Sequence, residues 1–224
     1  MRNMSKRRRM LMMPSSHQSR LPDEYQEVEW LRGTGTQYCT TDYPIVYNSE
    51  HKTVIKGDIT VLSSSAKAAI GNRWTEYGSA RRYAISYGES GSPGYAFIHY
   101  GSNNTNVHSP ISANFPADIH YEIGVDSLVI NNQIFARPSF GDFNSGTEHI
   151  NIGYIPVLGH YATNAEFKAF SIYDNNTLLT EVIPCYRKSD SKPGFYQTNV
   201  PEGGTNFITN LGTSADWLIG PNVL

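Results

Sequence analysis

The stretch EVEWLRGTGTQYCTT, residues 27–41, places two β-type runs on either side of a Gly33-Thr34-Gly35-Thr36 knot. As a phosphate cradle, the knot would open a helix and make the chain a nucleotide-binding α/β protein. As a corner, it would join two strands. A Walker loop would continue to Gly-Lys-Ser/Thr, and a dinucleotide fingerprint needs a small residue near Tyr38 with a helix beyond it. Here Gln37-Tyr38-Cys39-Thr40-Thr41 follows, which is strand-like. The glycines therefore serve a corner, through positive φ or close backbone approach.

Outward from the knot, β-type runs recur at approximately 25–31, 36–41, 52–62, 67–71, 82–88, 95–100, 119–125, 127–136, 148–154, 166–174, 177–184 and 205–209. Turn clusters separate them at Gly33–Gly35, Tyr47–Glu50, Glu89–Gly94, Gly101–Asn106, Gly141–Gly146 and Pro201–Gly204. In LVINNQIF, residues 128–135, two runs meet at Asn131-Asn132, and asparagine tolerates the positive φ that a tight hairpin of the primed type demands. A second hairpin is expected at Asp174-Asn175-Asn176. No amphipathic helix of three turns is evident, so the fold class is all-β, a sandwich or barrel. A chain of 224 residues fits one such core.

Charge divides the chain at residue 20. Residues 1–20 hold Arg2, Lys6, Arg7, Arg8, Arg9 and Arg20 and no acid. Taking those 6 from the 18 basic residues leaves 12 against 20 acidic ones in residues 21–224, a net of −8. An acidic body argues against specific nucleic-acid recognition, which needs a positive footprint. The arm, residues 1–20, is expected to be disordered until it meets an acidic partner surface or nucleic acid, with Arg2, Lys6, Arg7, Arg8 and Arg9 as its tether. Its apolar run Met10–Met13 is too short for a secretory h-region, so export by that route is not expected, nor glycosylation at Asn103 or Asn175. No apolar stretch reaches the length of a membrane span.

Catalytic patterns are weak. Glu24, Glu27 and Glu29 form a cluster in which Glu27 and Glu29 would share a strand face, but retaining glycosidases need two carboxyls about 5–5.5 Å apart over a cleft. The seven histidines, His17, His51, His99, His108, His120, His149 and His160, show no HExxH spacing. No Gly-x-Ser-x-Gly elbow is present. Cys39 and Cys185 lie in no metal-ligand spacing and are expected to be two buried free thiols, with a disulfide open if the first and last strands are neighbours. The chain is expected not to be an enzyme.

LPDEYQEVEWLRGTGTQYCTT, residues 21–41, resembles the opening of a laminin G-like, concanavalin A-like domain found in gut bacteria and their phages. The matching residues are Leu21, Pro22, Tyr25, Glu29, Thr34, Gly35, Thr36, Gln37 and Tyr38. FSIYDNNTLLTEVIPCYRKSDSKPGFY, residues 170–196, is similar to the family's closing block, through Ile183-Pro184-Cys185-Tyr186-Arg187-Lys188 and Gly194-Phe195-Tyr196. Gln197 stands where the family often has Asp, and Cys39-Thr40 replaces Ile-Asp. The resemblance implies a two-sheet antiparallel jelly roll over residues 21–224. It also implies a carbohydrate- or protein-binding module, often in phage structural proteins, with no cofactor but with calcium in some laminin G-like relatives.

The segment Asn72–Arg81 reads as a polar loop carrying aromatics. Together with the tract 95–106 it nominates Arg73, Trp74, Tyr77, Arg81, Tyr95, Tyr100 and Asn103 for ligand binding, because aromatic faces stack on sugar rings and Arg and Asn bond hydroxyls. The same residue types suit a subunit contact. The expectation is a virion protein, oligomeric in its assembly, attached to other virion proteins through its arm and presenting a module for a host-cell glycan. A bacterial surface carbohydrate-binding module or adhesin is the rival, and a glycan-cleaving enzyme stands third.

Overall fold

The computed structural model describes residues 20–76, 79–87, 94–101, 106–110, 114–136, 143–155, 160–213 and 215–223, and every regular element among them is a β-strand. The first eight are β1 (Tyr25–Glu27), β2 (Leu31–Thr34), β3 (Cys39–Tyr47), β4 (Thr53–Val61), β5 (Ala68–Glu76), β6 (Ser79–Tyr87), β7 (Tyr95–Gly101) and β8 (Asn106–Pro110). Then come β9 (Ala117–Ile123), β10 (Ser127–Ile130), β11 (Gln133–Ala136), β12 (Phe143–Ile152), β13 (Tyr154–Ile155) and β14 (His160–Tyr161). The chain closes with β15 (Thr163–Asp174), β16 (Thr177–Arg187), β17 (Lys192–Gln197), β18 (Phe207–Thr209) and β19 (Leu218–Ile219).

Two antiparallel sheets form a β-sandwich. The larger has 11 strands with the main order β11-β10-β9-β4-β15-β16-β17-β18, and the smaller has six in the order β3-β12-β5-β6-β7-β8. Alternation drives the packing, because a strand sends successive side chains to opposite faces. Ile55, Ile59, Ile119, Tyr121, Ile123, Phe167 and Phe195 point from the larger sheet into one core, and Ile45, Ile70, Tyr83, Ile85 and Ile98 meet them from the smaller. A second cluster, Leu21, Ile183 and Cys185 with Tyr25, Tyr196 and Phe207 packed on it, is separate from that core.

The hairpin β15–β16 opens into a fork. Its tip is paired from Phe170↔Val182 to Asp174↔Thr177. Farther down, β2 pairs with β15 (Leu31↔Phe167) and β1 pairs with β16 (Glu27↔Cys185). The C-terminal strap then joins β2 through Ile219↔Leu31, and the Val223 N–H donates to the Glu27 carbonyl at 3.0 Å. Both ends of the folded body are thereby stitched into the larger sheet.

Both asparagine hairpins form. Asn131 and Asn132 have φ of 47° and 66°, the pair of positive values that a type I′ turn requires, and Ile130 faces Gln133 across it. Asn175 has φ of 54° between Asp174 and Thr177. The sequence reading ended β3 at Thr41 and missed β17. Pro44 and Pro193-Gly194 interrupt those runs, yet Tyr43 and Ile45 keep their inward alternation, and Gly194 is needed because a Cβ there would meet the Ile208 carbonyl. The segment Asn72–Arg81 is also corrected: its residues 72–76 lie in strand β5 and its residues 79–81 in strand β6.

Candidate functional site

The corner at 33–36 is closed by its own glutamine. Gln37 Oε1 accepts the Gly35 N–H at 2.7 Å and the Thr34 N–H at 3.1 Å, while its Nε2 donates to Thr34 Oγ1 and to the Ala215 carbonyl. These amides have no donor capacity left for a phosphate. Gly33 is required by close approach, since a Cβ there would stand 2.8 Å from Ala162 Cβ.

The residues nominated for ligand binding fall into two groups along the smaller sheet. Arg73 pairs with Arg82 and Trp74 with Arg81 across the β5–β6 hairpin, and Tyr100 pairs with Tyr83 on the next strand. Arg73, Trp74, Arg81 and Tyr100 thus occupy neighbouring positions on three adjacent strands. Tyr95 begins β7 at the other end, opposite Pro110, so at about 3.3 Å per residue roughly 17 Å of strand separates it from Tyr100. Its side chain is 37% exposed and its ring centroid lies 6.4 Å from that of Phe97. Tyr77 and Asn103 lie outside the described residues, as do the arm residues Arg2, Lys6, Arg7, Arg8 and Arg9. Arg20, assigned to the arm from its charge, is described and is bound to the body: it forms an ion pair with the buried Glu27 and reaches Glu181 at 3.5 Å.

The acids expected to share a face do not converge. Glu27 ends β1, buried and paired with Arg20, whereas Glu29 is exposed beyond the strand. The thiols are free and buried. Burial pushes the Cys185 thiol up to about 12 and Cys39 higher still, so neither supplies a thiolate near neutral pH. Each histidine whose side chain is described has a partner: His51 with Asp174, His99 with Ser86, His120 with Asp58 and His149 with the Thr41 carbonyl. Among the described residues no group of three or more His, Cys, Asp or Glu side chains is placed to hold a metal ion. Gln197 is buried and bonded to protein groups.

A half-open cavity of about 140 Å³ lies where the β3–β4 turn meets the β15–β16 hairpin. Tyr43, Pro44, Val46, Tyr173 and Leu179 make apolar walls, and His51, Thr53 and Asp174 bring polar atoms. The two turns are locked together. Asn48 Oδ1 accepts the Glu50 and His51 N–H groups at 2.8 and 2.7 Å, and Asn175 Nδ2 donates to the Glu50 carbonyl at 2.7 Å. Asp174 Oδ1 accepts the Lys52 N–H at 3.0 Å, and Oδ2 is 2.6 Å from His51 Nδ1. That bond, followed by the Asp174 and Glu50 charges, raises the His51 pKa above its usual value. Sequence reading found the 174–176 turn but not this cavity, because its walls come from four separate strands. The one local signal was a histidine in the Tyr47–Glu50 turn region, without a partner visible in sequence.

No protein-family model matches the chain, and no curated protein or solved structure shows significant similarity to it.

Proposed function

We propose that this chain is a non-enzymatic virion protein, a capsid- or tail-attached module whose sandwich is a concanavalin A-like jelly roll and whose basic arm binds other virion proteins. In this reading the sandwich projects from the particle and binds a host-cell glycan. The carrying observation is spatial. The opening and closing blocks that resemble the laminin G-like domain, residues 21–41 and 170–196, are adjacent in one sheet, with Tyr25↔Arg187, Gln26↔Tyr186 and Glu27↔Cys185 in register. Two stretches some 150 residues apart in sequence thus form one continuous structural unit. The inert thiols and the separation of Glu27 from Glu29 favour binding over chemistry. Trp74, Arg81 and Tyr100, at positions that alternation assigns to one face, form the proposed binding face, with Arg73 at a position of the opposite face and calcium as an optional aid.

The test is immunogold labelling of density-purified particles, and of cell envelopes, from the culture that makes the protein. Label on particles, lost when residues 1–19 are deleted, is the expected result. Label confined to envelopes would replace this reading by a bacterial surface adhesin.

A further inference from the structure

The cavity at the two locked turns has the size of one ring. Its volume of about 140 Å³ is close to that of the engineered apolar cavities that admit benzene, and well below the roughly 300–1,000 Å³ of sites for drug-sized ligands. Its polar chemistry is specific. Asp174 is held by the Lys52 amide, the Asn175 side chain and His51 Nδ1, so it acts as an orienting group. With Nδ1 held by the Asp174 carboxylate, His51 leaves Nε2 to the mouth, a donor when the ring is protonated and an acceptor when it is neutral, and Nε2 makes no bond within the described residues. Two of the three hydroxyls at the site are committed: Thr53 Oγ1 accepts the Val46 N–H at 2.8 Å, and Tyr43 Oη donates to the Asn199 carbonyl at 3.1 Å, which leaves that of Tyr173.

The site therefore offers a ring-sized apolar wall, a half-buried Tyr173 and one fixed hydrogen-bonding nitrogen at a wet mouth. We propose that this cavity binds a single pyranose ring, its C–H face against Tyr173 and Leu179 and one hydroxyl hydrogen-bonded to His51 Nε2. A half-open site suits a sugar better than a phenol, because the sugar's remaining hydroxyls stay in water, whereas a phenol ring gains from full enclosure. The assignment rests on the glycan-binding reading above and places a contact at the rim of the sandwich, on residues other than those of the β5–β7 cluster.

The test is NMR titration of the isotope-labelled full chain with methyl glucoside, galactoside and mannoside, and in parallel with p-cresol as a phenolic side-chain mimic. A saturable shift of the His51 and Tyr173 ring signals by a glycoside is expected, weakened at least tenfold by His51→Ala and by Tyr173→Leu. His51 is exposed, so its variant folds; Tyr173→Leu keeps apolar volume in the wall. Shifts confined to β5–β7 overturn the cavity and leave glycan binding standing, while no glycoside shift anywhere overturns both. Undiminished binding by His51→Ala, or shifts from p-cresol in preference to every glycoside, also overturns the assignment.

Discussion

Gln197 on β17 grips Asp42 on β3 at two points: its Nε2 donates to Asp42 Oδ2 at 2.8 Å, and its Oε1 accepts the Asp42 N–H at 3.1 Å. One side chain of the larger sheet thus satisfies both a charge and an amide of the smaller. Nε2 also donates to the Thr205 carbonyl at 2.8 Å, and Asp42 Oδ2 accepts the Thr205 N–H, which closes the network. Gln197→Ala leaves buried polar groups unmatched, each costing about 1–3 kcal/mol. The expected loss is about 2–4 kcal/mol, read as a lower urea midpoint at unchanged m. A loss below about 0.5 kcal/mol would mean that water replaces the glutamine without cost.

The two turn asparagines differ in what they contribute. Asn132 is exposed and supplies only its positive φ, so Asn132→Ala is expected to cost about 1 kcal/mol, and Asn132→Gly to be neutral or stabilising. Asn131 has positive φ and also accepts the His120 N–H on Oδ1 at 2.8 Å, so Asn131→Ala should cost about 1 kcal/mol more. Equal losses for the two alanine variants would show that the side-chain bond contributes nothing.

These two cases mark what was legible in sequence. A turn is written in adjacent residues, so Asn131-Asn132 and Asp174-Asn175-Asn176 could be read directly, as could strands that alternate without interruption. The partnership of Gln197 with Asp42 spans the sandwich, and nothing local to either residue announces it. Pro44, Pro193 and Gly194 misled for a related reason: their strand roles depend on which neighbour passes, a fact of the sheet and not of the run. Arg20 looked like arm by charge, but its place depends on Glu27 and Glu181, two acids that the fold brings to it. The ring-sized cavity is likewise assembled from β3, β4, β15 and β16, and no one of them carries its pattern.

Two buried tyrosines make opposite predictions. Tyr83 donates its hydroxyl to the Thr53 carbonyl across the sandwich, whereas the equally buried Tyr121 hydroxyl has no hydrogen-bond partner among the described residues. Tyr83→Phe strands a buried carbonyl and is expected to cost about 1–2 kcal/mol. Tyr121→Phe removes a desolvated, unbonded group and is expected to be neutral or to stabilise by up to about 1 kcal/mol. Chemical denaturation of both variants decides the matter, and a destabilised Tyr121→Phe would reveal a bonding partner such as an internal water.

Cys39 and Cys185 should be silent toward thiol reagents in the native protein. Both are buried, Cys185 is pushed up to about 12 by desolvation, and Cys39 is pushed further. Since the thiolate is the reacting species, iodoacetamide near pH 8 should label neither site natively and both in denaturant, with intact mass giving the count. Native labelling of either would show that its strand opens faster than the global fold.

The His51–Asp174 bond makes stability depend on pH in one direction. Asp174 and the neighbouring Glu50 favour the protonated imidazole in the folded protein, and Lys52 of the same turn turns its ammonium to the Tyr47 ring instead, 5.9 Å from the centroid. The folded pKa therefore lies above the unfolded value of about 6.5, and folding is linked to proton uptake. The stabilisation is complete below about pH 6.5 and is lost as pH rises through the raised folded value. His51→Gln cannot titrate, so wild type should exceed it in urea midpoint by more at about pH 5.5 than at about pH 8.5. An exposed pair makes the effect small and salt-sensitive, so the comparison belongs at low ionic strength, where screening is weakest. A midpoint difference that stays constant across this range, or grows toward high pH, would show that the Asp174 contact does not hold the proton on His51.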